Sequence, residues 1–226
     1  WGFVTQFFIG HSSWLASAAG VLIGAVLLWD LLFRSQIGFS MCFMEEMWSR
    51  NLGHLFVSPL RAHEFIISMM VVSCLRGFFG LLPSWILAFV FFEFSIFSYG
   101  FGIVAFFSCL MVMGWSLGMI VISLVLRFGL GAESLAWVAI FAFAPISAVY
   151  YPVETLPAWL QIVAWCTPSA YVFEGMRSVL IDNIFRYDLL LGAILVNIVY
   201  VFAGIFVFAF SFLGARKQGK LLQTGE

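Results

Sequence analysis

EEMWSRNLGHLFVSPLRAHE, Glu45 to Glu64, is the longest polar island between two runs that are otherwise almost wholly apolar. Glu45, Glu46, Arg50, Asn51, His54, Arg61, His63 and Glu64 would each be costly at a bilayer centre, whereas the flanking runs have nowhere else to go. The island must therefore face water. Within it, Trp48, Leu52, Leu55 and Phe56 recur at helical spacing, which predicts a short helix lying along the membrane surface. That face would rest on the bilayer or on neighbouring helix ends, leaving Glu45, Glu46, Arg50 and His54 towards water, and Pro59 would stop the helix. The expected bounds are 45–58. The plainer alternative is a solvated loop with ordinary charges.

Composition sets the class. Of 226 residues, 64% are hydrophobic and 9% charged, with 28 Phe and 9 Trp, and the mean hydropathy is +1.10. A soluble fold could not hide this much apolar surface. Charges fall in the gaps between long runs, and the alternating pattern of a β-barrel is missing, so helices are the expected spanning elements. A net charge of −1 says nothing about partners. Cys42, Cys74, Cys109 and Cys166 have no paired spacing, so neither a disulfide nor a metal site is expected. The chain opens on Trp1 without a cleavable signal pattern, which suggests numbering that begins inside a longer protein.

Taken in order, residues 1–10 are too short to cross roughly 30 Å of hydrocarbon and read as part of a truncated first helix. A second span is expected over 14–44, interrupted by Asp30 with Arg34 one turn later. The third covers 65–92, with Arg76 as its only charge and Pro83 as a kink. The turn Ser98-Tyr99-Gly100 separates it from a fourth at 101–126, where Gly114 and Gly118 form a GxxxG suited to close packing. A short fifth follows at 134–151 and a last at 189–215. Between these two, Thr155 before Leu156-Pro157 and Thr167 before Pro168 each look like a helix start with a capping hydroxyl. They predict two short helices, near 156–166 and 168–181, that lie at the interface or dip in and return.

With the island, the 127–133 loop and the tail on one side, that side holds Arg50, Arg61, Arg127, Arg216, Lys217 and Lys220, against Arg177 and Arg186 opposite. Six against two favours the island's side as cytoplasmic. Asp30, Arg34 and Arg76 are charges in or near hydrocarbon. They either line a path for a polar or anionic substrate or serve as structural pairs, Arg76 capping a carbonyl or meeting Glu93. Glu174 and Arg177, three apart, read as a local ion pair.

Two stretches resemble a known family. Glu45, Arg50, Gly53, Ser58-Pro59-Leu60 and Glu64 are similar to the cytoplasmic coupling segment of type-2 ATP-binding-cassette (ABC) transporter permeases. Tyr151, Pro152, Leu156, Pro157, Pro168, Glu174 and Arg177 match that family's signature before the last helix. The resemblance implies an all-α integral membrane permease of six transmembrane helices, the first truncated, forming a single domain over 1–226. It implies a coupling helix that includes Glu46 and His54, and an extracytoplasmic re-entrant pair over 155–181. It also implies a second permease subunit, usually an identical chain, a separate ATPase subunit that holds ATP and Mg, and the cytoplasmic membrane of a bacterium or archaeon. The family carries an interface helix and a complete first span before this point, and here the pattern departs. These 226 residues hold no GxxxxGK[ST] phosphate loop, so no cofactor of their own and no enzymatic activity are expected, and nothing points to nucleic acid.

An intramembrane enzyme needs a nucleophile or metal ligands set against one another, and His11, His54 and His63 have no such spacing. A secondary transporter or channel is the nearer rival, although no convincing repeat joins the spans that carry Pro83 and Pro145.

Overall fold

Backbone polar groups in hydrocarbon have no water to bond, so the long apolar runs satisfy them internally as helices. The computed structural model describes residues 13–57, 61–92 and 101–217. Helix α1 is Ser13–Trp48, α2 Leu52–Val57, α3 Ala62–Phe92 and α4 Phe101–Phe128. They are followed by α5 Leu135–Phe143, α6 Ala158–Trp165, α7 Pro168–Asp182 and α8 Tyr187–Lys217. Among the described residues, α1, α3, α4 and α8 are long and apolar enough to cross a membrane. The expected partial span at 1–10, the turn at 98–100, Glu93, Ser58 and Pro59 lie outside the described residues.

Helix α4 is the hub: 72% of its most apolar window is buried, against 22% for α8. It packs on α1 and α8, while α3 packs on α1. The GxxxG pair explains the close approach of α4 to α1. A Cβ on Gly114 would stand 2.8 Å from Ser35 Oγ and 3.0 Å from Gln36 N, and one on Gly118 2.7 Å from Phe39 Cδ1. Hydrogen bonds join the helices inside this apolar bundle. Ser73 Oγ donates to the Ser35 carbonyl (3.0 Å), Trp115 Nε1 donates to Ser73 Oγ (3.3 Å), and Asn197 Nδ2 donates to the Cys109 carbonyl (3.0 Å).

The two ends of the bundle have separate cores. Phe43, Leu52, Phe65, Ile122, Leu126, Phe212 and Ala215 cluster at the island end, so the island and the far ends of α4 and α8 lie together. At the other end Phe106, Val149, Val172, Met176 and Ala193 bring α4, α7 and α8 together under the 145–153 turns.

Three local expectations need correction. The 134–151 stretch is helical only over Leu135–Phe143, nine residues or about 14 Å. Pro145 offers no N–H and crowds the carbonyl four residues back, so the chain leaves the helix in turns at 144–150. The threonines are not side-chain caps. Thr155 Oγ1 donates to the Pro152 carbonyl and Thr167 Oγ1 to the Ala164 carbonyl, so both hydroxyls close the preceding turn. The predicted 45–58 helix is split. Glu45 to Trp48 complete α1, Arg50 takes a left-handed conformation (φ 58°), and only Leu52–Val57 form a separate helix.

Candidate functional site

The island is built as a turn with a short helix pinned beneath it. Asn51 N–H bonds the Glu46 carbonyl at 3.0 Å, and Asn51 Nδ2 donates to Glu46 Oε2 at 2.7 Å, so Glu46 and Asn51 close the turn around Arg50. Leu52 is buried and Leu55 half-buried in the island-end core, as the helical spacing required. Trp48 is 47% exposed instead of anchoring that face. At the far side, the Arg61 N–H donates to Glu64 Oε2 (2.8 Å), which makes Glu64 the third-position acceptor that caps α3. Gly53 is half-buried, while Arg50 and His54 are exposed.

Glu45 turns back along the bundle. Arg76 Nη1 and Nη2 donate to Glu45 Oε1 and Oε2 at 2.8 and 2.7 Å, a two-pronged pair across 31 residues. Ser35 meets Ser73 while Phe43 meets Phe65, so α1 and α3 run in opposite directions. Side chains lean towards their own helix N-terminus, so Glu45 leans into the bundle and Arg76 towards the island until they meet. The expectation of Arg76 paired with Glu93 or a carbonyl gives way to this partner.

The second pair lies on the same face of α1. Arg34 Nε and Asp30 Oδ2 are 2.8 Å apart, one turn from each other. The Arg34 guanidinium lies over Gly80 of α3, where a Cβ would come within 2.5 Å of Nη1. At 100° per residue, Asp30, Arg34, Gly38, Met41 and Glu45 fall within an arc of about 80°. They form a stripe about 22 Å long against roughly 30 Å of hydrocarbon. Its charges are half-open: the side chains of Asp30 and Arg34 are 28% and 37% exposed, those of Glu45 and Arg76 46% each. Arg76 stands one residue from Gly77, the midpoint of the His63–Phe91 span.

At the opposite end, Arg177 does more than pair with its neighbour. Its buried guanidinium donates from Nη2 to the carbonyls of Ala148, Val149 (3.3 Å) and Tyr151 (2.7 Å), and Nη1 lies 3.0 Å from Glu174 Oε1. Glu174 also accepts from the Val153 N–H at 2.6 Å. Together they hold a turn in which Ala148 sits at φ 51°. Burial lowers the Arg177 guanidinium from its ordinary range, and Glu174 pushes it back up. Tyr151 Oη donates to the Pro145 carbonyl, Pro152 leads the 3-10 turn at 153–155, Pro157 precedes α6, and Pro168 is the buried first residue of α7.

The structure therefore separates the predicted residues into three groups. Arg50, Gly53 and His54 present the island's surface. Glu45, Asp30, Arg34 and Arg76 form the stripe. Tyr151, Glu174 and Arg177 lock the far end. Sequence reasoning missed Ser35, Ser73, Trp115 and Asn197 as the bonds between helices. An asparagine inside an apolar span was the available signal for one of them.

A search of the curated proteins finds no match. The sequence profile described as ABC-2 type transporter matches residues 1–181, which take in the island, the stripe, α6 and nearly all of α7. With its all-helical fold and several membrane-length apolar helices, the chain belongs to the ABC-2 type transporter family, as a multi-pass permease forming the membrane subunit of an ABC transporter.

Proposed function

We propose that this permease forms one half of an ATP-driven export path, with a second, identical chain as the other half. A separate ATPase subunit holds ATP and Mg and binds the island in the cytosol, and the complex sits in the cytoplasmic membrane of a bacterium or archaeon. In this reading α2 is the coupling helix, α6 and α7 are an outer re-entrant pair completing a six-span plan, and Asp30, Arg34 and Arg76 line the path.

The observation that carries the reading is the stripe on α1, whose island end is tied to the middle of α3 by Glu45 and Arg76. Half-open charges at span depth are incompatible with lipid, so that flank suits water or a second subunit. The same ion pair offers a stiff link from the island to the membrane-spanning helices. Arg50 adds support: a non-glycine residue at φ 58° is held at about 1 kcal/mol or more, which fits a side chain kept for contact.

The test is co-purification with the ATPase subunit. Arg50→Glu should separate the two proteins while the permease alone elutes and melts as the wild type does. Undiminished co-purification would contradict the assignment of the island.

A further inference from the structure

Helix α3 is held in two different ways along its length. The half towards the island is tied by polar groups: Ser73 Oγ donates to the Ser35 carbonyl, and Arg76 holds Glu45 through both terminal nitrogens. The far half packs through apolar side chains. Leu81 lies in the core around Phe106, Ala88 packs with Ile23 and Leu27 of α1, and Trp85 stacks on Phe107 of α4 with ring centroids 6.0 Å apart. Lipid tails offer an apolar side chain much the same surroundings, so such contacts part at little cost within hydrocarbon. Hydrogen-bond acceptors are missing there. The island-side half is therefore locked, and the far half can be released.

Between the halves, from the middle of the span, the helix itself is weak. Pro83 brings no N–H, so the Phe79 carbonyl loses its bond within the helix, and the proline ring crowds that carbonyl. Pro83 is exposed, so no packing against another helix requires its ring. Gly77 and Gly80 are helix-interior glycines, which hold a helix less firmly than alanine does. Packing accounts for Gly80, where a Cβ would come within 2.5 Å of Arg34 Nη1. It does not account for Gly77. That residue is buried, in line with Ser73 and Leu81 on the face turned to α1, yet a Cβ on it would meet nothing within 4 Å. Because Gly77 is buried, the space lies within the chain's own packing and not on a surface that a second subunit would cover. What glycine supplies at this position is backbone freedom.

Resting on the transport reading above, we infer that Gly77 to Pro83 form a mid-span joint in α3, and that in each transport cycle the far half of the helix swings on it, away from α1 and α4. The island-side half stays fixed to α1 through Ser73 and Arg76, so the joint marks where a stiff unit that includes the island ends and a moving wall begins.

The experiment stiffens the joint in the permease bound to its ATPase subunit, in phosphatidylcholine nanodiscs, and reads ATP hydrolysis without added cargo. Gly77→Ala, Pro83→Ala and the double variant are compared with Gly214→Ala, another glycine of a long helix where a Cβ would meet nothing within 4 Å. Each joint variant should raise the melting temperature of the permease by about 1–4 °C or more. All should co-purify with the ATPase subunit as the wild type does. The double variant should nevertheless hydrolyse ATP at least about threefold more slowly, and Gly214→Ala should keep the wild-type rate. Greater stability with slower turnover is the signature of a joint, because a purely structural role would move both the same way. An unchanged rate in the double variant, a lowered melting temperature, lost co-purification of the joint variants alone, or equal slowing by Gly214→Ala would each overturn the inference and leave the transport reading standing. Failure of the wild-type permease to co-purify with the ATPase subunit would overturn both.

Discussion

Reversing one charge of the Glu45–Arg76 pair should weaken the permease more than an ordinary surface substitution, and reversing both should restore it. Two N–H···O bonds of 2.7 and 2.8 Å set the geometry, and 46% exposure of each side chain sets the screening. Unit charges about 4 Å apart attract by about 4 kcal/mol at an effective dielectric constant near 20. Open water on one side and the ordering of two long side chains reduce this, leaving ~1–2 kcal/mol for the pair, above the ~0.2–1 kcal/mol of a fully exposed one. Arg76→Glu replaces attraction with repulsion, so the loss should be about 2–4 kcal/mol. In detergent, melting followed by tryptophan fluorescence should fall by roughly 5–10 °C, using the scaling for chains of this size. The double variant Glu45→Arg with Arg76→Glu should recover most of that loss, and substrate-stimulated ATP hydrolysis should return with it. If Arg76→Glu melts with the wild type, or if the double variant is no better than the single one, the pair is not the link between island and span.

Other perturbations test the remaining joints. Arg177→Ala strands Glu174 and three carbonyls in a buried turn and should cost about 3–5 kcal/mol, with Arg177→Lys intermediate; melting of both against wild type checks this, and near-wild-type stability of the alanine variant would contradict it. Gly114→Ala should destabilise by roughly 1–3 kcal/mol, because its Cβ would meet Ser35 Oγ at 2.8 Å and the Gln36 backbone at 3.0 Å. Gly214→Ala meets nothing within 4 Å and should be neutral or gain about 0.5 kcal/mol, so equal melting shifts for the two glycines would refute the packing account. Arg50→Gly should raise stability by about 1 kcal/mol through relief of the left-handed conformation while losing ATPase binding, and retention of binding would show that the side chain is not the contact.

The long helices were readable because hydrocarbon leaves a chain few choices. Runs of twenty or more apolar residues became α1, α3, α4 and α8, and the polar island fell at the facing ends of α1 and α3 and in the segment between them. Pro145 was visible too, yet its effect on the 134–151 stretch depends on how far a helix survives upstream of a proline, which the hydrophobic run alone does not tell. The split of the island at Arg50 had no glycine to announce it. There Glu46 and Asn51 supply the bonds that hold an unfavourable turn. Side-chain partners were the least legible of all. Glu45 looked like a water-facing charge of the island. Its pairing with Arg76 follows from the opposed directions of α1 and α3 and the lean of side chains along each, which only a three-dimensional arrangement defines. Arg177 likewise looked like half of an i,i+3 pair, and the carbonyls of Ala148, Val149 and Tyr151 come to it only when the 145–153 segment folds back over α7.

A photoreactive amino acid placed at His54, in intact cells that also make the ATPase subunit, addresses the island most directly, because His54 is exposed and lies on α2. Illumination should join the permease to the ATPase subunit, and a membrane-impermeant reagent outside the cell should not reach the site. Failure to cross-link, together with labelling of that position from outside, would contradict the account.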